Sequence, residues 1–243
     1  MRIAAISDIH GNLPALDAVL DDIARRGADV IVALGDLLAG PLWPRETAQR
    51  LIELGCPAIR GNHERQTWEC EQRRGEPADQ FTFESITREQ LDWTRALPAT
   101  LRLADDVFAC HGTPTSDLVY LLEDPATGRA ALRSEGEIRR DCGEVRSGLV
   151  LCGHSHVPRI VELAGGPTIV NPGAVGIPAF SARRPLPHVH ELGSPHARYA
   201  LVERGRAGWQ AQFVAVAYDW RSAERRALEN GRPDFARWLT GRA

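Results

Sequence analysis

Residues 2–12 read RIAAISDIHGN: a short apolar run, Ile3 to Ile6, passes straight into an aspartate, a histidine two positions on, a glycine and an asparagine. The run has strand character, and Pro14 then opens an amphipathic helix with Leu16, Val19, Leu20 and Ile23 on one face. Residues 29–36, DVIVALGD, repeat the device. Their continuously apolar run suits a parallel strand covered on both faces, and it ends on glycine and Asp36. A Gly-Pro loop from Gly40 to Pro44 precedes a helix around Ala48 to Leu54, and PAIR (57–60) reads as a third strand ending at Gly61. Strands alternating with helices imply βαβ units.

Further along, residues 64–97 are expected to be helical, with Thr87 and Gln90 at capping-box spacing. LRLADDVFAC (101–110) reads as a hairpin turning at Asp105-Asp106. Residues 115–147 carry helix and loop. GLVLCG, RIVEL and TIVN then read as strands in quick succession, RYALVERG and WQAQFVAVAY as an antiparallel pair, and a last helix starts near Asp219. One segment breaks this rhythm. Residues 176–198 contain Pro178, Pro185, Pro187 and Pro195, with Pro172 just upstream, together with His188, His190 and His196. Such proline density predicts a long surface loop without regular structure.

With 243 residues, 43 % of them hydrophobic, the chain can bury a sizeable core, and residues 1–243 read as one domain. A net charge of −3 argues against bulk attraction to nucleic acid or anionic membranes. There is no apolar stretch of spanning length, and RIAAIS leads directly into Asp8, so neither a membrane span nor a cleavable leader is expected. Five cysteines without a CxxC pair suit reduced thiols in a cytoplasmic protein. Cys110 and Cys152 precede motif histidines but read as small residues filling buried strand positions. All 29 basic residues are arginine, so no lysine can serve as a Schiff base or a phosphate-loop clamp.

The polar islands carry the chemistry. They are Asp8 and His10 in SDIHGN, Asp36 in ALGDLL, Asn62 and His63 in RGNHE, His111 in ACHGTP, and His154 and His156 in CGHSHVP, with NPGAVG (171–176) completing the set. Each follows an apolar run, where the strands of an α/β sheet deliver side chains to one edge. One Asp-x-His by itself means little. Five of eight histidines in DIH, GNH, CHG and GHSH contexts, each beside glycine at a strand end, mean much more. Carboxylates, imidazoles and an amide, without thiolates, match a two-metal hydrolytic centre. Asp36 has two oxygens and can span ions about 3.5–4 Å apart. In an extended GHSH segment, His154 and His156 would point to the same side.

The order Asp-x-His, Gly-Asp, Gly-Asn-His-Glu, His, Gly-His-x-His resembles the calcineurin-like metallophosphoesterase superfamily. SDIHGN, GDLLAGPLWP and NPGAVG resemble its small prokaryotic phosphodiesterase-like branch, and the likeness spans nearly the whole chain. The resemblance implies an α/β fold, a four-layer α/β/β/α sandwich of two mixed sheets with the metals at the strand ends. It implies that Asp8, His10 and His156 hold one divalent ion, that Asn62, His111 and His154 hold the other, and that Asp36 bridges both. Manganese, iron, zinc and nickel all suit these ligands. His63 would bind no metal and would act catalytically, stabilising the phosphoryl oxygens or protonating the leaving group. Glu64 would orient His63 or stand solvated at a helix start. The implied reaction is hydrolysis of small phosphodiesters or phosphoanhydrides by in-line attack of a metal-bound hydroxide. Two ions less two aspartates and one hydroxide leave about one positive charge for a phosphate anion.

The chain departs from that pattern in two places. Ala174 stands where relatives usually place serine, and the Pro/His-rich segment looks long for this branch. For that segment a lid over the metals, a third metal site and an ordinary solvated loop all remain open. The alternatives for the whole chain are a phosphomonoesterase, and a non-catalytic metal-binding scaffold like the retromer subunit of this fold. Loss of motif histidines would mark the scaffold, and here they are all present. A nuclease should add a basic groove or a further domain, which charge and length do not supply. The expected partner is a small phosphate ester, without membrane or extended nucleic acid; oligomeric state is not legible in the chain.

Overall fold

A computed structural model describes residues 1–206 and 208–243. In chain order its elements begin with β1 (Arg2–Ile6), α1 (Leu13–Arg26), β2 (Val30–Ala33) and α2 (Pro44–Leu54). Three helices follow, α3 (Asn62–Glu69), α4 (Pro77–Ser85) and α5 (Arg88–Ala96), then the hairpin of β3 (Thr100–Ala104) and β4 (Val107–Cys110). After the short pair β5 (Glu123–Asp124) and β6 (Ala131–Leu132) come α6 (Glu135–Cys142), β7 (Leu149–Leu151), β8 (Arg159–Glu162) and β9 (Thr168–Asn171). The remainder comprises β10 (Ala179–Ala182), β11 (His188–Glu191), β12 (Ala197–Gly205), β13 (Gly208–Val216), α7 (Trp220–Glu229) and α8 (Pro233–Leu239).

Two mixed sheets result. One runs β13-β12-β1-β2, with β1 and β2 parallel; the other runs β3-β4-β7-β9-β8, with β4, β7 and β9 parallel. Strand residues alternate between faces, and here both faces are apolar. From β1, Ile3 and Ala5 join Val107, Ala109, Leu149, Leu151 and Val170 in the layer between the sheets. Ala4 and Ile6 turn the other way, onto Leu16, Val19, Leu20 and Ile23 of α1. On the far sheet Val150 and Ile169 face outward against Ile138 and Cys142 of α6. Helix, sheet, sheet, helix is therefore the layering, as expected.

Local signals match most of these elements. Asn12 caps α1 by accepting from Ala15 N, a contact worth about 1 kcal/mol. Thr87 and Gln90 form the capping box of α5, the β3–β4 turn falls at Asp105-Asp106, and Asp219 caps α7. The five cysteines are all free, with Cys110 and Cys152 buried in the outer core of the second sheet. Among the described residues no helix is long and apolar enough to cross a membrane.

Three expectations need correction. PAIR is no strand; it contributes a single parallel bridge between Ala58 and Ala33, because Pro57 has no N–H to extend the ladder. The last helix is two helices, with Pro233 starting the second at its first turn. Residues 176–198 are not an irregular loop. Strands β10 and β11 pair as an antiparallel hairpin from Ala179↔Glu191 to Ala182↔His188. Its prolines lie before, between and after the strands, where no ladder hydrogen bond is needed, so their number did not forbid pairing.

Candidate metal centre

Strands β1, β2, β4 and β7 all end at one edge of the sandwich, and the islands of Asp8, Asp36, His111 and His154 begin where they end. The chain turns sharply there. Among the described residues, the non-glycine positions with positive φ are Asp8, His10, Asp36, His154 and His156, at 50° to 68°. Left-handed backbone costs an L-residue about 1–2 kcal/mol, and strain of this kind gathers at functional sites. The expectation of an extended GHSH segment is thus overturned: both histidines reach the site through left-handed turns. Gly61 allows the close passage this requires, since a Cβ there would sit 2.7 Å from Asp36 N.

Two groups of side chains converge. Donor atoms of Asp8, His10 and His156 lie within 4.8 Å of one another, and so do those of Asp36, His111 and His154. Asn62 joins the second group, its Oδ1 being 3.2 Å from His111 Nε2. The hydrogen bonds behind the imidazoles settle their tautomers. Nδ1–H of His10 donates to Ala39 O at 2.7 Å, that of His156 to Ile177 O at 2.8 Å, and that of His111 to Leu34 O at 2.7 Å. On a neutral ring each Nε2 then carries a lone pair, and on His111, which Asp36 raises to about 9, a proton takes the place a cation would fill. His10 Nε2 and His156 Nε2 face each other at 3.2 Å, and His111 Nε2 faces Asp36 Oδ2 at 3.1 Å beside Asn62 Oδ1. Asp8 Oδ1 is buried without a hydrogen-bond partner. Lone pairs aimed at one another in a dry site repel unless a cation or proton lies among them. Nitrogen and oxygen donors with backbone carbonyls behind the imidazoles fit divalent ions.

The ionisation pattern has the same origin. Burial, then His156, push His10 down to about 3, and burial, then His111, do the same to His154. His111 rises to about 9 because Asp36 outweighs its burial. Although burial disfavours their charge, Asp8 is held below the usual carboxylate range by His156, and Asp36 well below it by His111 and His63.

His63 stands apart from both groups, partly exposed at the cleft. Its Nδ1 is 2.6 Å from Oδ1 of Asp79, and that carboxylate is buried. Burial alone would depress His63, but Asp79 and then Asp36 raise it to about 10. Glu64 does not orient His63. Its carboxylate accepts from Asp36 N, Leu37 N and Gly61 N at 2.7–2.9 Å, tying the Asp36 loop to the start of α3. Asp79 is thus a site residue that no sequence motif announces; it lies in the first turn of α4.

NPGAVG braces the site from behind. Asn171 Nδ2 donates to Gly153 O and Ser155 Oγ, while Val175 N and Gly176 N donate to Ser7 O and Asp8 O. Ala174 is fully buried. The two groups open into a cleft of about 1640 Å³, walled by Tyr120, Phe180 and Trp238 and carrying Arg74, Arg183 and Arg184. The Tyr120 ring lies 4.6 Å from that of His154, and the Phe180 ring 4.7 Å from that of His156. His188 and His190 are buried beside them but belong to neither convergent group, and among the described residues no third such group occurs. His196 turns to Ser194 Oγ at 3.2 Å.

The profile of the calcineurin-like phosphoesterase family matches residues 1–158. An uncharacterized protein of Methanocaldococcus jannaschii is 26% identical over 96% of this chain and 94% of its own length. The phosphodiesterase YfcE of Escherichia coli is 29% identical over 73% of this chain and 81% of its own. The crystal structure of a metallophosphoesterase from Sphaerobacter thermophilus superposes with a TM-score of 0.74, at 26% identity, over 99% of each chain.

Proposed function

Since the chain belongs to the calcineurin-like phosphoesterase family, we propose that it hydrolyses small phosphodiesters or phosphoanhydrides at a two-metal centre. One observation carries this reading: seven nitrogen and oxygen donors meet in two groups, His10 Nε2 facing His156 Nε2 in one and His111 Nε2 facing Asp36 Oδ2 and Asn62 Oδ1 in the other. Asp8, His10 and His156 would hold one ion and Asn62, His111 and His154 the other, with Asp36 touching both. Bound there, divalent ions supply Lewis-acid polarisation of the phosphoryl group and a nucleophile drawn from water.

The remaining work falls to the chain's own residues. His63 keeps Nδ1 on Asp79, so the proton on its Nε2 is the one available to the cleft. There it can meet charge on an equatorial phosphoryl oxygen or protonate the departing oxygen. Glu64 keeps the Asp36 loop rigid through three backbone N–H groups. Tyr120 and Phe180 exclude water from one side of the site. YfcE, by its name a phosphodiesterase, favours diesters over monoesters as the first substrates to try.

The test is turnover of bis(p-nitrophenyl) phosphate and p-nitrophenyl phosphate by metal-stripped protein, with and without added manganese. We expect diester hydrolysis that requires the ion and disappears with a chelator. Metal-loaded protein that turns over neither ester, nor any cyclic nucleotide or dinucleoside polyphosphate, would sink the proposal.

A further inference from the structure

The loop carrying His154 and His156 is strained, and the hairpin of β10 and β11 is what grips it. Both histidines sit at positive φ, 68° and 60°, on either side of Ser155. A turn that costs energy at two positions persists only where its surroundings over-determine it. Ser155 is held on all sides: its N–H donates to Gly153 O at 2.8 Å, and its Oγ accepts from Asn171 at 3.0 Å. Its carbonyl accepts from His190 Nδ1 at 2.6 Å. His190 lies on β11, is 1% exposed, and has an Nε2 that is buried without a partner. Donation from Nδ1 is thus the ring's one hydrogen bond, and it goes to the residue between two candidate ligands.

The rest of the hairpin's buried face is fastened to the same loop. Phe180 of β10 packs on the His156 ring at 4.7 Å and on the His190 ring at 4.8 Å. His188 donates from Nδ1 to Leu186 O at 2.7 Å, so its Nε2 accepts from the Tyr120 hydroxyl at 2.9 Å. That bond fixes the Tyr120 ring against His154. Each histidine of the GHSH loop therefore has an aromatic ring behind it that the hairpin supplies or holds.

We propose that His190 is a positioning residue for the metal centre: it clamps the Ser155 carbonyl and so sets the placement of His154 and His156. The inference rests on the reading that these histidines hold divalent ions. It makes the hairpin a fixed wall of the cleft rather than a lid, and it makes ion affinity depend on a segment containing none of the candidate ligands.

Three substitutions separate the clamp from mere packing. His190→Phe keeps the ring and removes the donor. His190→Asn puts an amide nitrogen near the place of Nδ1, and His190→Gln puts one beyond it. The readout is Mn²⁺ affinity of metal-stripped protein by calorimetry, with thermal melting of each stripped variant as the check on folding. His190→Phe should weaken Mn²⁺ by about 10–100-fold, the usual cost of losing a group that orients metal ligands. His190→Asn should restore most of that affinity and His190→Gln little. Wild-type protein that binds no Mn²⁺ overturns the metal reading itself. Wild-type protein that binds Mn²⁺ no better than a folded His190→Phe overturns the clamp. If His190→Phe does not fold, the other two decide: tighter binding by Asn than by Gln supports the clamp, and equal binding overturns it.

Discussion

Replacing Asp79 with asparagine removes a charge yet leaves an oxygen where His63 Nδ1 can still donate. The bond is 2.6 Å long and the carboxylate is 1% exposed, so solvent cannot replace what is lost. A hydrogen bond with a charged partner contributes about 1.5–3 kcal/mol and a neutral one about 0.5–1.5. The difference, about 1–1.5 kcal/mol, converts at about 1.4 kcal/mol per tenfold into a kcat lower by about five- to tenfold. Asp79→Ala goes further, because it frees the ring to rotate. It should lose most of what a positioned acid contributes, on the order of 10²–10⁴. Asp79 lies outside both donor groups, so elemental analysis should find the metal content of each variant unchanged. If His63 protonates the leaving group, the loss should be large for an alkyl diester and small for a nitrophenyl one. Adding Asp79→Ala to His63→Ala should cost nothing more, since the two act as one unit. Asn and Ala variants that are folded, metal-loaded and as fast as wild type on both diesters would refute the reasoning.

Asp36→Asn should lower the occupancy of both ions and His156→Ala mainly of one, as read by elemental analysis; full two-metal occupancy in Asp36→Asn would remove the bridge. The β10–β11 connection, residues 183–187, can be replaced by Asn-Gly, which closes a two-residue turn on the Ala182↔His188 pair. Because Arg183 and Arg184 line the cleft, KM should change on anionic diesters while metal content stays the same; unchanged KM on every substrate would exclude the tip from recognition. Asp22 is buried, and although burial opposes its charge, hydrogen bonds from Arg26, Tyr199 and Arg25 hold it below its ordinary value of 3.8. A depressed carboxylate stabilises the fold fully above its unfolded value, and that stability is lost as pH falls through the lower folded value. Asp22→Asn should therefore cost about 1–3 kcal/mol at neutral pH in denaturant melts, a gap that closes in acid; a gap independent of pH would show that charge is not involved.

Much of this site was readable before any coordinates. Short apolar runs ending in Asp8, Asp36, His111 and His154 announced strands that deliver polar groups to one edge, and that edge exists. The continuously apolar run of β2 announced cover on both faces, whereas the four layers followed from the resemblance to the family. PAIR misled because its apolar character was real while Pro57 removed a ladder donor. The hairpin misled in the opposite sense: proline density suggests a loop, whereas these prolines fall before, between and after the two strands and leave the ladder intact.

What the chain determined by itself was the inventory of the candidate metal centre, since most motif residues lie within a few positions of strand ends, where left-handed turns then set the direction of each side chain. What only the tertiary structure decided was which residues stand behind that inventory. Asp79 reaches His63 from a separate helix, Glu64 turns inward to the Asp36 loop instead of outward to its neighbour, and His190 arrives from a strand 35 positions beyond Ser155. These contacts depend on how helices and a hairpin dock after the strands are in place. Such docking is set by burial and shape across long separations, and no local pattern of residue types records it.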